Sequence, residues 1–487
     1  MIGPLVLAAY TMALLGLVAY SLHRGWLLLT YRRLCKTSRR GAEWRRGPLP
    51  PVTVQLPVYN ERYVVERLID AVCALDYPRE LLEVQVLDDS DDETAELARR
   101  RVLHHAGRGI RIEHIRRQRR EGYKAGALAH GLSRARGEFV LILDADFVPP
   151  ADLLHRMLPP LADPAVGMVQ ARWGHLNDDA SWLTRAQALI LDAHFHVEHG
   201  ARSAAGLFFN FNGTAGIWRA RCLHDAGGWQ ADTLTEDLDL SYRAQMRGWR
   251  FVFLPDVVVP GELPGSVRAF KSQQARWAQG SIQTARKLLP ELLRGDRSWR
   301  IKLEAIAHLT AYVPSLLTLA LAVLVFPAAI VRLHHGWPLL LLADLFFFAA
   351  AIGPLGYFYA ETLRAGGRRV WPAILIYVPM VLALGIGISV NNSRALFAGL
   401  FSRAHAEFVR TPKRGGARGG YRARFSWLGT AAETALATYV AVAVGYALMN
   451  GLYPSIPFLL LFQYGFATVA AGSFKSPLGR REAGVRS

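Results

Sequence analysis

The chain has 487 residues, 52% of them hydrophobic, with 57 Lys and Arg against 39 Asp and Glu and a formal net charge of +18. Such a length allows a globular domain together with several membrane spans, so the composition favours a membrane enzyme or transporter over the soluble classes. The basic residues lie beside apolar runs without a nucleic-acid-binding motif, as in RRLCKTSRR, RAGGRR and RTPKRGGARGGYRAR, which indicates cytoplasmic loops rather than nucleic-acid binding. The 3 widely spaced cysteines predict neither a disulfide framework nor a zinc site.

The first predicted element is an apolar helix at residues 2–22, within an N-terminal segment 1–31. It has neither the basic start nor the small-residue cleavage site of a signal peptide. Five arginines follow it, at Arg24, Arg32, Arg33, Arg39 and Arg40. We therefore expect a retained transmembrane anchor whose C-terminal end lies in the cytoplasm.

A globular domain is predicted next, at residues 48–265, after the Pro-rich sequence GPLPP. Short apolar runs at 52–56, 82–89 and 138–146 are typical of strands, and 61–75 and 123–136 are typical of amphipathic helices. This alternation predicts an α/β fold with a parallel sheet. Ligands of such sheets bind outside the carboxyl ends of the strands, and here the strands end in PVYNE, DDSDD and DADF. Three strand ends thus predict one polar, mostly acidic site.

Asp144 and Asp146 are candidate metal ligands, because alternation at the end of a strand would point both side chains the same way. Hard carboxylate oxygens suit Mg²⁺ or Mn²⁺ on a diphosphate. The alternative is a strand-end turn capped by Asp. Asp88 and Asp89 at the preceding strand end favour the metal and phosphate hypothesis.

Glu236 and Asp237 open a further predicted helix, TEDLDLSYRAQMRGW. A carboxylate at a helix start is commonly a cap. It can also act as the general base that removes the proton of an acceptor hydroxyl. Lys124, between small residues in GYKAGAL, is a candidate phosphate contact or a solvated side chain.

Residues 266–300 predict amphipathic helices at the membrane interface. In this segment Gln273, Arg276 and Trp277 lie at i, i+3 and i+4 and therefore share one helix face. That face either contacts phospholipid head groups or contributes to a binding site.

A transmembrane bundle is predicted at residues 305–474, with a cytosolic loop at 405–425 and a basic cytosolic tail at 475–487. Its apolar runs are 309–331, 337–360, 371–390, 427–449 and 451–474. We prefer five spans in the whole chain plus a re-entrant or interfacial segment at 371–400, because this keeps the basic loop near Arg410 in the cytoplasm. Six spans is the alternative.

The motifs PVYNE, LDDSDDE, GYKAGAL, DAD, VQARW, FNGTAGIWR, TEDLDLSYR, ELP and QQARW occur in an order that resembles the inverting family 2 glycosyltransferases of the cellulose synthase superfamily. FNFNGTAGIWR and VQARW are most similar to the cellulose synthase-like glucan and mannan synthases, the glucomannan 4-beta-mannosyltransferase branch. The resemblance covers roughly residues 51–277. It implies a cytosolic, Rossmann-like GT-A domain inserted between transmembrane helices.

The resemblance also implies a role for each matching residue. The nucleotide sugar would be bound by Tyr59, Asn60, Glu61, Asp88 or Asp89, Lys124, Asp144 and Arg276, and the metal, Mg²⁺ or Mn²⁺, by Asp144 and Asp146. Asp237, beside Glu236, would be the catalytic base, and the acceptor would be bordered by Phe211, Asn212, Gly213, Gln273 and Trp277. A gating loop is implied at Phe408, Thr411, Pro412 and Lys413, although Arg410 stands where the family pattern has Val.

These observations predict a multi-pass plasma-membrane hexosyltransferase with a cytoplasmic catalytic domain. We expect it to extend a β-glucan or β-mannan processively from UDP-glucose or GDP-mannose and to pass the glycan through its spans. One alternative is a non-processive enzyme that glycosylates a lipid such as ceramide or polyprenyl phosphate. Another is a transporter regulated by nucleotide sugar, with Asp344 and Glu433 as coupling residues inside spans. The motifs specify neither the sugar, the linkage nor a protein partner.

Overall fold

The computed structural model describes residues 2–35, 44, 47–335, 340–367, 370–401 and 425–475. The predicted gating-loop residues Phe408, Thr411, Pro412 and Lys413, and residues 476–487 of the predicted tail, lie outside this described part. The chain begins with a long apolar helix, α1 (Ile2–Leu34). It continues about three turns beyond the predicted apolar helix at residues 2–22.

A seven-stranded mixed sheet forms the centre of the domain that follows. Its strands are β1 (Val52–Val58), β2 (Leu82–Asp88), β3 (Ile112–Arg116), β4 (Phe139–Ile142), β5 (Val166–His175), β6 (Gly216–Arg219) and β7 (Arg250–Gly261). The strand order is β3-β2-β1-β4-β6-β5-β7, with β6 antiparallel to β4 and β5 and the other pairs parallel. The prediction of an α/β sheet is confirmed, and the ends of β1, β2 and β4 face one edge.

Helices cover both faces of this sheet. They are α2 (Val65–Cys73), α3 (Thr94–Ala106), α4 (Tyr123–Leu132), α5 (Leu153–Met157), α6 (Trp182–Ala193), α7 (Gly200–Ala204), α8 (Ala220–Asp225) and α9 (Glu236–Met246). A π-helix, His194–His199, joins α6 to α7, and a short 3-10 helix spans Pro159–Ala162. One buried apolar cluster includes Leu56, Leu68 and Leu141, and a second on the opposite face includes Ile142, Phe211 and Trp218.

Two helices connect this α/β domain to the apolar C-terminal region: α10 (Val267–Arg294) and α11 (Trp299–Leu309). Ser266 caps α10 by accepting a hydrogen bond from the Ala269 amide at 3.3 Å. On its other side α10 braces the loop before α9, where the Leu234 amide donates to Gln283 Oε1 at 3.0 Å. Most of the predicted interfacial segment 266–300 is therefore the long helix α10, which contacts the α/β domain directly.

The remaining helices are α12 (Val313–His334), α13 (Leu340–Ala365), α14 (Val370–Gly387), α15 (Ser389–Phe401), α16 (Trp427–Met449) and α17 (Ile456–Phe474), with a 3-10 turn at Tyr453–Ser455. By length and composition alone, 6 helical stretches of the described chain could cross a membrane, and α14 is one of them. These six fit a multi-pass membrane protein.

The α14 helix packs against the α/β domain. Its Val378, Val381 and Leu384 share a buried cluster with Leu183 and Leu189 of α6. The next helix, α15, ends beside α10, where the Arg286 guanidinium donates to the Gly399 carbonyl oxygen at 2.9 Å. These contacts join α14 and α15 to α6 and α10, and the count of five spans plus an interfacial segment stays a prediction.

Both acidic side chains predicted inside spans are paired. Arg332 of α12 forms an ion pair with Asp344 of α13. Lys271 Nζ of α10 lies 2.6 Å from Glu433 Oε1 of α16 and 3.2 Å from Ser473 Oγ of α17. Lys271 and Glu433 are buried, so the pair ties α10 to the apolar bundle without exposing charge to lipid.

Candidate active site

An open cleft lies at the predicted edge of the sheet, between the ends of β1, β2 and β4 and the helix α10. It encloses about 1220 Å³ of empty space, part of it open to solvent. Most of the predicted site residues line it: Tyr59, Glu61, Asp89, Lys124, Asp144, Asp146, Asn212, Gly213, Glu236, Asp237, Gln273, Arg276 and Trp277. Residues from seven separate stretches of the sequence therefore meet in one cleft.

Asn60 and Asp88 do not line the cleft. Asp88 is buried and accepts hydrogen bonds from the Ser90 amide and from the His114 ring, both at 2.8 Å. Burial alone would raise the pKa of Asp88, but these hydrogen bonds outweigh it and hold the pKa below its usual value. The Asn60 amide donates to Ser90 Oγ at 2.8 Å. Both residues support the loop behind the cleft, and Asp89 is the member of its pair that reaches the cavity.

Phe211, predicted to border the acceptor, is also outside the cleft lining. It is fully buried, and its ring meets that of Trp218 edge to face at a centroid distance of 5.6 Å. Phe211 therefore anchors the segment that carries Asn212 and Gly213, which do line the cleft.

Lys124 is the central cation of the cleft. Its Nζ lies 2.6 Å from Asp144 Oδ1, 2.9 Å from the Gly213 carbonyl oxygen and 3.9 Å from Glu236 Oε1. Burial would lower the pKa of Lys124, but the Asp144 and Glu236 carboxylates outweigh burial and raise it. The side chain is therefore a fixed positive charge at neutral pH, available to an anionic ligand.

Asp237 is the second residue of α9, whose start at Glu236 confirms the predicted helix. Burial, reinforced by the neighbouring Glu236 carboxylate, raises the pKa of Asp237 to about 7, against the opposing charges of Lys124 and Arg276. Its Oδ1 accepts a hydrogen bond from the Leu238 amide at 2.8 Å. A carboxyl group with a pKa near neutrality is suited to general-base work.

The backbone at Gly213 passes very close to Asp237. Gly213 has φ of +82°, and a Cβ atom there would lie 2.9 Å from Asp237 Oδ2 and 3.4 Å from Lys124 Nζ. A side chain would therefore enter the space between Asp237 and Lys124, which explains the glycine in FNGTAG.

The carboxylates of Asp144 and Asp146 both line the cleft, but β4 ends at Ile142, two residues before Asp144. The argument from strand alternation was therefore wrong, since both residues lie in the turn after the strand. Asp146 Oδ2 accepts a hydrogen bond from the Glu262 amide at 3.1 Å, which orients it. Within the described residues, no group of three or more His, Cys, Asp or Glu side chains could hold a metal ion. Two carboxylates nevertheless fit Mg²⁺ or Mn²⁺, which commonly take remaining ligands from water and substrate phosphates.

The wall opposite the carboxylates is the face of α10 predicted from helical spacing. Gln273, Arg276 and Trp277 all line the cleft. An amide, a guanidinium and an indole ring thus face Lys124 and Asp237 across the cavity. Such a wall can hydrogen-bond an anion and give a sugar ring an apolar surface.

Several cleft residues were not predicted. Arg120 stacks on Tyr59, with its guanidinium carbon 3.4 Å from the ring centroid, and Trp173, His175 and Glu262 line the cavity. Trp173 and Glu262 belong to VQARW and ELP, so the motifs signalled them without assigning a role. Arg120 carries no signal of its own, because it lies in a basic loop where only the fold decides which side chain reaches the cleft.

Residues 50–280 match the family described as "Glycosyltransferase like family 2". This part of the chain is therefore similar to family 2 glycosyltransferase domains. The resemblance predicted from the ordered motifs is thereby confirmed, and the residues that line the cleft lie within the matched part.

Two plant relatives illustrate how far the similarity extends. Over 258 residues the chain is 45% identical to glucomannan 4-beta-mannosyltransferase 2 of Arabidopsis thaliana, covering 52% of this chain and 48% of the relative. Over 291 residues it is 42% identical to glucomannan 4-beta-mannosyltransferase 1 of Oryza sativa subsp. japonica, covering 58% and 56%. The chain therefore spans about half the length of these relatives.

A solved structure extends the similarity in fold. The mannosyltransferase PcManGT of Pyrobaculum calidifontis, in complex with GDP-Man and Mn²⁺, is 26% identical and superposes with a TM-score of 0.54. The match covers 81% of this chain and 99% of that one. The similarity thus reaches beyond the glycosyltransferase domain into part of the apolar helices.

Proposed function

We propose that the protein is a membrane-embedded, inverting β-hexosyltransferase that moves a hexose from a nucleotide sugar to a hydroxyl group of a glycan. The observation that carries this proposal is Asp237, a half-buried side chain whose carboxyl pKa is raised to about 7, in a cleft that also holds Lys124 and Arg276. The carboxylate is the base, and the two cations receive the charge of the departing diphosphate.

Transfer follows from this arrangement as a single displacement. Asp237 accepts the proton of the acceptor hydroxyl while the hydroxyl oxygen forms the new bond to the anomeric carbon of the donor. The bond from that carbon to the diphosphate oxygen breaks on the opposite side, so the configuration inverts. Lys124 and Arg276 hold the diphosphate, and Trp277 gives the acceptor sugar an apolar face. Asp144 and Asp146 would hold a divalent metal, whose chemistry is to neutralise charge on the leaving group.

We further propose GDP-mannose as the donor and a β-mannan or glucomannan chain as the acceptor. Support comes from the names of the plant relatives and from PcManGT, solved with GDP-Man and Mn²⁺. UDP-glucose is the competing donor, since the phosphate and metal contacts above do not depend on the base or the sugar. The Mn²⁺ of PcManGT supports a divalent ion and leaves Mg²⁺ as an alternative.

The membrane arrangement supports a polymer product. The cleft wall formed by α10 is tied to the bundle by Lys271 and Glu433, so the acceptor face lies next to the apolar helices. We propose that the catalytic domain faces the cytoplasm and that the glycan leaves through the spans. The transporter alternative rested on Asp344 and Glu433, and each forms an ion pair with a basic partner.

The test is Asp237→Asn in the purified protein, assayed with GDP-mannose and with UDP-glucose for release of nucleoside diphosphate and incorporation of sugar. Loss of the base should lower kcat roughly 10²–10⁴-fold. Asp225→Asn is the matched control, because Asp225 bonds the Trp249 indole at 2.8 Å, outside the cleft lining. A turnover rate of the Asp237→Asn protein equal to that of the wild type would overturn the proposal. The size of the product distinguishes the two acceptor hypotheses, since processive transfer gives a polymer and non-processive transfer gives a lipid that bears one sugar.

A further inference from the structure

The π-helix His194–His199 places two histidines side by side. Its hydrogen bonds join residues five apart, so the rings of His194 and His199 lie with their centroids 4.3 Å apart. In an α-helix residues five apart point in different directions. Short π-helices are uncommon and occur frequently at functional sites. Both rings face the segment that carries Asn210, Asn212 and Gly213.

His199 holds the first part of this segment. Its Nε2 donates to the Asn210 carbonyl oxygen at 3.0 Å. The side chain is fully buried, and burial holds the pKa of His199 well below its usual value, so the ring is neutral.

His194 holds the second part through its two ring nitrogens. Nε2 lies 3.1 Å from Asn212 Nδ2, and Nδ1 lies 2.9 Å from Glu198 Oε2. A carboxylate oxygen only accepts, so Nδ1 donates to Glu198, and Nε2 is left to accept from the Asn212 amide nitrogen. Glu198 is held in turn by Arg202 at 3.4 Å and by Arg24 of α1 at 3.6 Å.

This bond determines which way the Asn212 amide points. Asn212 lines the cleft beside Gly213, and its backbone amide donates to Gln170 Oε1 at 3.1 Å. Because Nδ2 is bound by His194, the side-chain Oδ1 is the atom left over. It is buried, and among the described residues it has no hydrogen-bond partner. A buried acceptor without a partner is costly unless a ligand supplies a donor.

We propose that His194 is a positioning residue, which turns the Asn212 amide so that Oδ1 accepts a hydrogen bond from a hydroxyl group of the acceptor sugar. The inference rests on the glycosyltransferase function proposed above and assigns part of its acceptor specificity. Glu198 fixes the tautomer of His194 by accepting a hydrogen bond from Nδ1. Arg24 of the first apolar helix, α1, forms an ion pair with Glu198 and so links the pair to that helix.

Two variants of His194 separate this role from a structural one, because each keeps one half of the imidazole. The amide of His194→Gln reaches the position of Nε2 and can still bind Asn212. The amide of His194→Asn reaches the position of Nδ1 and can still bind Glu198. With GDP-mannose as donor and β-1,4-linked mannotetraose as acceptor, His194→Asn should raise the KM for the acceptor roughly fivefold to tenfold, the loss of one hydrogen bond. His194→Gln should raise it less than twofold, and neither should change the KM for the donor.

The opposite ranking, or equal acceptor KM values for the two variants, would overturn the proposal, since a structural role depends on the bond to Glu198. Asn212→Ala keeps the His194 to Glu198 bond and covers the case in which a His194 variant does not fold. It should raise the acceptor KM as His194→Asn does, and an unchanged value would overturn the proposal. If the wild-type protein turns over neither GDP-mannose with mannotetraose nor UDP-glucose with cellotetraose, the proposed function fails, and the inference fails with it. Wild-type turnover with the wrong ranking of variants defeats the inference alone.

Discussion

Gly213 and Asp237 approach each other so closely that a Cβ atom on Gly213 would lie 2.9 Å from the Asp237 carboxylate oxygen Oδ2. Gly213 belongs to the segment after the π-helix, and Asp237 to the start of α9, so two separate parts of the domain define this space. Under the proposed function, the gap between them is where an acceptor hydroxyl would reach Asp237.

We expect Gly213→Ala to abolish most activity, because its methyl group occupies that gap and φ of +82° strains any side chain. A loss of about 10²-fold or more in kcat is expected, as for displacement of a general base. Gly206→Ala is the matched control. Gly206 also has positive φ, +66°, but nothing lies within 4 Å of its Cβ position. Equal losses in the two variants would show that backbone strain, and not the approach to Asp237, is responsible.

Activity should rise with pH through about 7, because Asp237 must be deprotonated to accept a proton and its pKa is about 7. Glu236→Gln removes a like charge that raises this pKa, after burial the second cause of the shift. The acid limb of the kcat/KM profile should therefore move to lower pH in that variant. An acid limb that stays in place, or moves to higher pH, would contradict the assignment of this limb to Asp237.

Asp237→Asn should stabilise the protein while inactivating it. The folded pKa of about 7 lies above the unfolded value of about 3.9, so the proton-bound form stabilises the fold fully at low pH. This contribution is lost as pH rises to about 7, whereas Asn carries no charge at any pH. The variant should therefore unfold at a higher temperature than wild type at pH 8, and by a smaller margin at pH 5. Equal differences in unfolding temperature between variant and wild type at the two pH values would show that folding does not raise the pKa of Asp237.

Lys124→Met should raise the KM for the nucleotide sugar, because the cation that faces Asp144 and Glu236 is also the one available to the diphosphate. Loss of a charge-assisted contact of about 1.5–3 kcal/mol corresponds to roughly tenfold or more. Lys287→Met is the matched control. Lys287 lies 2.7 Å from Asp232 and 2.8 Å from Asp239, and it is outside the cleft lining. The control should lose stability and keep the donor KM; a donor KM raised equally in both variants would argue against phosphate binding by Lys124.

The sequence was most informative where chemistry follows from local spacing. Gln273, Arg276 and Trp277 share a helix face because their spacing matches the helical repeat, and the structure places all three in the cleft. Strand-end reasoning was coarser. It brought Asp88 and Asp89 to the right edge of the sheet, but adjacent residues point in opposite directions, and only packing decides that Asp89 reaches the cavity.

The features that sequence reasoning missed depend on tertiary contacts. Nothing in HFHVEH distinguishes a π-helix from an α-helix, because the extra residue is accommodated only when His194 and His199 find partners on another segment. The position of Asp144 depends similarly on Thr214, whose Oγ1 accepts a hydrogen bond from the Asp144 amide at 2.9 Å after β4 has ended. Contacts of this kind join residues far apart in the chain and leave no periodic pattern.

The ion pair between Lys271 and Glu433 fixes the position of α10 relative to the apolar helices. Trp277 follows Lys271 by six residues, so it lies about 9 Å farther along the same rigid helix. Under the proposed function, the distance of Trp277 from the apolar helices would therefore be set by the rise of α10. A movement that tilts α16 would shift α10 and the cleft wall that it forms, so under the proposed function the packing of the apolar helices would be part of the geometry of sugar transfer.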